Sequence, residues 1–168
     1  SFFGCTGQRC LSGAVLVPVG DIADRLVEQF TAAARTVTVG DGLNEQTFMG
    51  PLISAAHRER VLGYIAKGIE EGADLVLDGR DIQVDGYPDG FFVGPTVFDN
   101  VTPDMTIARE EIFGPVVSIV RAADMDAVVD LINTRDMANA ACIYTSSGAA
   151  AREFKYRVQP SMIGVNIG

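Results

Sequence analysis

The order of apolar runs along the chain predicts an α/β fold built from parallel-sheet βαβ units. Two observations carry this. From Val116 onward the pattern reads strand, helix, strand, helix, strand, the signature of parallel units with right-handed crossovers. Several of the strand-like runs are continuously apolar rather than alternating, which suits strands covered on both faces. The length, 168 residues, fits one domain or one piece of a larger protein. With 48% apolar and 21% charged residues, the chain has the composition of a globular domain.

The strand-like runs are residues 14–17, 75–77, 91–98, 116–120, 141–144 and 162–167. Three segments between them have helical spacing. The first, 21–35, takes Asp21 as N-cap and carries Ile22, Leu26, Phe30 and Ala33 on one stripe. The second, 54–71, is capped by Ser54, presents Leu62, Ile65, Ala66 and Ile69, and ends at Gly72. The third, 124–134, is capped by Asp124, with Met125, Val128, Val129 and Ile132 inward. A weaker fourth covers 149–158. Gly, Pro and Asp clusters punctuate the rest, and no internal repeat appears.

Charge and cysteine usage narrow the function classes. Thirteen Lys plus Arg against 22 Asp plus Glu give a net charge of −9, a poor match for nucleic acid or an anionic membrane. No apolar run is long enough to span a membrane. Three cysteines, Cys5, Cys10 and Cys142, do not make a disulfide framework, and the setting read from them is reducing and intracellular. Cys5 and Cys10 lack further partners for a zinc site, so no metal is expected. His57, the single histidine, reads as a solvated helix residue. Asn100-Val101-Thr102 fits the glycosylation pattern, but Pro103 follows and nothing else suggests secretion. Neither a G-x-G-x-x-G nor a P-loop pattern occurs, so most of any nucleotide site is expected outside this chain.

Two segments could carry chemistry. Gly7-Gln8-Arg9-Cys10 puts a thiol after a glycine turn and before an apolar segment that reads as helical or buried. A thiolate is the reactive form, and Arg9 or the N–H groups of a following helical turn would favour it. On spacing alone, a small buried hydrophobe is the simpler reading of Cys10. Cys142, inside a strand run, is expected in the core. Glu110-Glu111-Ile112-Phe113-Gly114-Pro115 sets carboxylates and a phenyl ring at the entry of a strand, where a carboxylate could accept from ribose hydroxyls and the ring could pack on a heterocycle. A solvated acidic turn is the alternative there.

These residues carry a resemblance. Phe3-Gly4 with Gly7-Gln8-Arg9-Cys10 resembles the catalytic-cysteine segment of the NAD(P)-dependent aldehyde dehydrogenase superfamily, and Glu110 to Val116 resembles its second signature. Gly50-Pro51-Leu52-Ile53 and Phe92-Val93-Gly94-Pro95-Thr96-Val97 fall between them in the family's order. Arg9 before the cysteine, the stretch from Asn100 to Thr106 and the ending Ile163-Gly164-Val165-Asn166-Ile167-Gly168 are most similar to the methylmalonate-semialdehyde, CoA-acylating subfamily. Cys5, and Asp136-Met137-Ala138-Asn139 in place of a Tyr-Gly, depart from the family pattern.

The resemblance implies that residues 1–168 are a catalytic domain without the amino-terminal cofactor domain and the carboxy-terminal arm, an expectation matched by the absence of an initiator Met at Ser1. It implies Cys10 as nucleophile with its own N–H toward the oxyanion, Arg9 toward a substrate carboxylate, and Glu111 and Phe113 at the nicotinamide ribose and ring of NAD. CoA would take the acyl group, with loss of CO₂, giving propionyl-CoA or acetyl-CoA. A hydrolytic relative yielding an acid and a non-catalytic scaffold are the rivals. The resemblance further implies a homo-oligomer, dimer or tetramer, in the cytoplasm, or in the mitochondrial matrix of a eukaryote.

Overall fold

The computed structural model of the chain describes residues 2–135 and 139–167. The departure from the family pattern at Asp136-Met137-Ala138 lies outside the described residues. Val15–Leu16 (β1), Asp74–Leu77 (β2), Thr96–Asp99 (β3) and Val116–Ile119 (β4) form one sheet in the order β1-β4-β3-β2. β4 runs parallel to both β1 and β3, with Val15 opposite Ser118 and Val97 opposite Val117. β2 pairs antiparallel with β3, so one edge departs from the all-parallel expectation.

The continuous apolar runs have the predicted cause. Every residue of β3 and β4 is buried. Successive side chains enter opposite cores because strand side chains alternate faces. Val97, Val117 and Ile119 meet Phe3, Met49 and Ala34. Ala34 lies on helix α1 (Ala23–Arg35). Phe98 and Val116 meet Val61 and Ile65 of helix α2 (Ala55–Glu70), and Ile107 of the short helix α3 (Thr106–Arg109). Run 91–98 contributes only its end to the sheet. Pro95 has no N–H to give a ladder, and the Gly94 N–H donates to the Gly79 carbonyl at 2.7 Å.

Two helical faces differ from those read by spacing. Asp21 falls in a 3-10 turn, Gly20–Ile22, and does not cap α1, whose N-cap position is Ile22. α1 turns inward Ala23, Val27, Phe30 and Ala34, leaving Ile22 and Ala33 exposed. α2 is capped as expected, the Ser54 hydroxyl accepting from the His57 N–H at 3.2 Å. Its inner face is Val61, Ile65 and Gly68 with Leu62 half-buried against the same core, so Leu62 and Ile65 fall where the spacing put them, while Ala66 and Ile69 are exposed. Gly68 is there because the Phe98 ring and the Ile107 side chain occupy the place of a Cβ.

The remaining units are helix α4 (Met125–Asn133), strand β5 (Ala140–Ile143), helix α5 (Gly148–Arg157) and strand β6 (Met162–Val165). The Asp124 carboxylate caps α4 at Ala127 N–H, 2.9 Å, as the sequence predicts. β5 and β6 pair in parallel but form a separate two-stranded sheet, so β4 and β5 do not join one ladder among the described residues. Val128, Val129, Phe154 and Val158 cover one face of this pair, against Ala141, Ile143 and Ile163. Cys142 points the other way and is exposed, which corrects its expected place in the core. β6 stops at Val165 because Asn166 takes a left-handed conformation, φ 53°, and its amide clasps Thr145 from both sides at 2.9 and 3.0 Å.

Candidate active site

The cysteine loop begins with two aromatic anchors. The Phe2 ring meets the Phe30 ring edge-on at 5.1 Å, Phe3 is buried, and the Ser12 hydroxyl donates to the Phe2 carbonyl at 2.9 Å. After them the chain makes a left-handed turn, with φ of 51°, 57° and 70° at Cys5, Thr6 and Gly7. Left-handed backbone costs an L-residue about 1–2 kcal/mol, and a β-branched one is a rare occupant. What holds Thr6 there is burial and its hydroxyl, which donates to the Gly50 carbonyl at 2.9 Å. Gln8 then accepts the Ile53 N–H at 3.0 Å. Gly50-Pro51-Leu52-Ile53 is therefore the platform on which the cysteine loop is seated.

Cys10 follows on a single turn closed by the Ser12 N–H on the Arg9 carbonyl at 3.0 Å. It is exposed, so the simpler reading of a small buried hydrophobe fails. No helix follows it: the chain runs through exposed Leu11 into β1, so the expected helical N–H groups are not there. The Cys10 carbonyl accepts from the Asn139 amide at 2.9 Å. Arg9 is exposed beside Gly4, and among the described residues no ion pair engages it.

The acidic loop is held by α2. Arg60 donates to the Ile112 carbonyl at 2.9 Å and the Glu111 carbonyl at 3.0 Å. His57 Nε2 meets the Phe113 carbonyl at 2.7 Å; since a carbonyl only accepts, Nε2 carries the proton. His57 is thus a half-buried clamp rather than a solvated helix residue. Tyr64 donates to Glu110 at 2.7 Å, and that bond, with some burial, raises the Tyr64 hydroxyl above its ordinary pKa. Glu110 is occupied in this way, whereas the Glu111 side chain is exposed. Phe113 sits at φ 61°, which turns its ring outward, 36% exposed, beside His57.

The two loops touch at their glycines. A Cβ on Gly7 would lie 2.1 Å from the Gly114 carbonyl oxygen, and one on Gly114 would lie 2.7 Å from Val61. Only glycine allows this approach. Each loop leads into a strand of the parallel pair β1 and β4, so both lie at amino ends. Ligand loops of open α/β sheets ordinarily lie at carboxyl ends, and the site departs from that rule. An open groove of about 690 Å³ lies between them, lined by Cys5, Gln8, Pro51, Leu52, Ile53, His57, Phe91 and Phe113. Phe113 faces this groove; Cys10, Arg9 and Glu111 are not among its walls. The fold therefore brings the two motif loops together without placing their four candidate side chains in contact.

Sequence reading missed His57, Arg60, Thr6 and Asn139 as holders of these loops. The i, i+3 spacing of His57 and Arg60, with Tyr64 four residues on, marks one helical face. It does not say what that face holds.

The chain matches the model of the aldehyde dehydrogenase family over residues 1–168. Malonate-semialdehyde dehydrogenase 1 of Geobacillus thermodenitrificans (strain NG80-2) is 50% identical over 167 residues, 99% of this chain and 34% of that protein. The crystal structure of methylmalonate-semialdehyde dehydrogenase from Oceanimonas doudoroffii superposes with a TM-score of 0.95 at 44% identity, covering 98% of this chain and 34% of that one. An NAD complex from Sinorhizobium meliloti 1021, provisionally named a methylmalonate-semialdehyde dehydrogenase, gives 0.96 at 41% identity, covering 98% and 34%. The chain thus spans about a third of the length of these relatives.

Proposed function

The chain belongs to the aldehyde dehydrogenase family, and from that membership we propose that residues 1–168 form the catalytic domain of an NAD-dependent semialdehyde dehydrogenase that passes its acyl group to CoA. The observation that carries the reading is the glycine contact between Gly7 and Gly114, which packs the cysteine loop against the Glu111–Phe113 loop. The substrate is malonate or methylmalonate semialdehyde, the compounds in the names of similar proteins.

In this reading Cys10 attacks the aldehyde carbon as thiolate, and its backbone N–H donates to the developing oxyanion. Arg9, a permanent cation with a two-pronged guanidinium, receives the distal carboxylate that separates a semialdehyde of a dicarboxylic acid from a plain aldehyde. Glu111 and Phe113 fit one end of the dinucleotide: an exposed carboxylate for the ribose hydroxyls and an outward ring for the nicotinamide. NAD, when bound, accepts the hydride. The resulting thioester on Cys10 keeps the acyl group reactive, and the CoA thiol displaces it by exchange. With a carboxylate β to the oxidised carbonyl, CO₂ is lost and the product is acetyl-CoA or propionyl-CoA. In this reading the residues that cradle the pyrophosphate lie outside residues 1–168. The 168-residue chain is therefore inactive alone, and the working protein is a cytoplasmic homo-oligomer.

Product analysis of the full-length enzyme tests this. Acyl-CoA forms only with CoA present, and Cys10→Ala abolishes turnover. Acid formed at the same rate with and without CoA would replace the acylating reading with a hydrolytic one. In calorimetry the isolated chain shows no micromolar NAD affinity; such affinity would mean that the cofactor site is misplaced.

A further inference from the structure

We propose that Asn139 is a positioning residue for Cys10, holding the nucleophile's peptide from across the fold. The inference rests on the reading of Cys10 above. Asn139 stands one residue before β5, and its Nδ2 donates to the Cys10 carbonyl at 2.9 Å across 129 positions of sequence. Its own carbonyl accepts the Met162 N–H at 3.1 Å, so Asn139 is fastened to β6.

The need for such a tie follows from the loop. Among the described residues, Cys10 sits exposed on a turn closed by the Ser12 N–H on the Arg9 carbonyl, and the chain then runs into β1 without a helix. Thr6, Gln8 and Ser12 anchor the chain before and after it. Among the described residues, Asn139 supplies the side chain that reaches the Cys10 peptide itself. The sulfur and the Cys10 N–H both hang from the same Cα, so a rocking turn would move nucleophile and oxyanion donor together. Reacting atoms must meet within about 3–3.5 Å, and a misplacement of about 1 Å is costly. Pinning the carbonyl beside that Cα removes this freedom.

The test uses the full-length enzyme carrying Asn139→Ala or Asn139→Asp. The aspartate keeps the size but has no amide donor. Both variants lower kcat by about tenfold, equivalent to about 1.4 kcal/mol. KM for NAD stays unchanged, because Arg60 and His57 hold the Glu111–Phe113 loop independently. Alkylation of Cys10 by iodoacetamide, followed against pH, also departs from the wild-type profile in both variants. A wild-type kcat and labelling profile in Asn139→Asp would overturn the proposal, since a role in packing alone survives that change. Should Asn139→Ala fail to fold, the aspartate variant and the labelling profile carry the test. Cys10→Ala separates the two levels: if it is inactive while Asn139→Asp is normal, only the positioning role falls, whereas activity in Cys10→Ala overturns both.

Discussion

β3–β4 and β5–β6 are both parallel pairs of short apolar strands, yet one pair is buried and the other half exposed. All eight residues of β3 and β4 are buried, whereas β5 alternates exposed and half-buried positions. The difference lies in what covers them. α1 closes one face of the four-stranded sheet and α2 with α3 the other, while α4 and α5 cover a single face of the pair. A run of apolar residues therefore reports that a strand will form, and the number of neighbouring layers decides how much of it leaves water. Cys142 shows this: it faces the side of β5 that no described helix covers.

Breaking the contrast at its strongest point means truncating Phe98, which is fully buried against α2 and α3. Phe98→Ala should lower the stability of the 168-residue chain by about 3–5 kcal/mol in urea unfolding. A loss near 1 kcal/mol would mean that this face is not packed as described.

A smaller effect is expected at the rim of the same sheet. Arg121 grips the Asp99 carboxylate at 3.1 and 2.7 Å and reaches Asp24 at 2.7 Å. Burial pushes the Asp99 carboxyl up, but Arg121 and the Asn100 N–H outweigh it and hold it below the usual carboxylate range. Its stabilisation is therefore complete above the unfolded Asp value of about 3.9 and fades as pH falls through the lower folded value. Arg121→Ala should cost about 1–3 kcal/mol at neutral pH, less than a fully buried pair because the arginine is partly exposed. Unfolding of Asp99→Asn between neutral pH and pH 3 should show a shallower acid loss than wild type. An unchanged acid limb would remove Asp99 from the account. The smallest effect belongs to the exposed face, where Cys142→Ser should change stability by no more than about 0.5 kcal/mol. A larger cost in the same urea experiment would show that this face is covered after all.

Because all three cysteines are exposed, accessibility does not separate Cys10 from Cys5 or Cys142. Any difference in their reactivity has to come from the surrounding chemistry.

How far sequence reading reached depends on the range of each interaction. α4 was legible in full: its Asp124 cap and its Val128 and Val129 face lie within one or two turns of each other. α1 and α2 were legible as helices with approximate ends, but their inner faces were partly rotated. Ile22 and Ile69 are apolar and exposed, while Gly68 is buried because a phenyl ring from β3 fills its place. The site divides in the same way. The motif around Cys10 and the one around Glu111 and Phe113 could be read as strings of residues. The pairs Thr6 with Gly50, Arg60 with Glu111 and Asn139 with Cys10 lie 44, 51 and 129 positions apart, and no local pattern announces them.

By itself, then, the sequence determined the α/β class, the order of helices and strands apart from the short α3, the Ser54 and Asp124 caps, and the family whose two motifs it carries. These rest on periodicity, capping and local residue chemistry, which act within a few residues. The tertiary structure alone decided that β5–β6 stands apart from the main sheet, which helix faces are inward, and that Gly7 meets Gly114. Those outcomes depend on contacts between distant segments, where close packing leaves room for one arrangement and excludes the neighbouring ones.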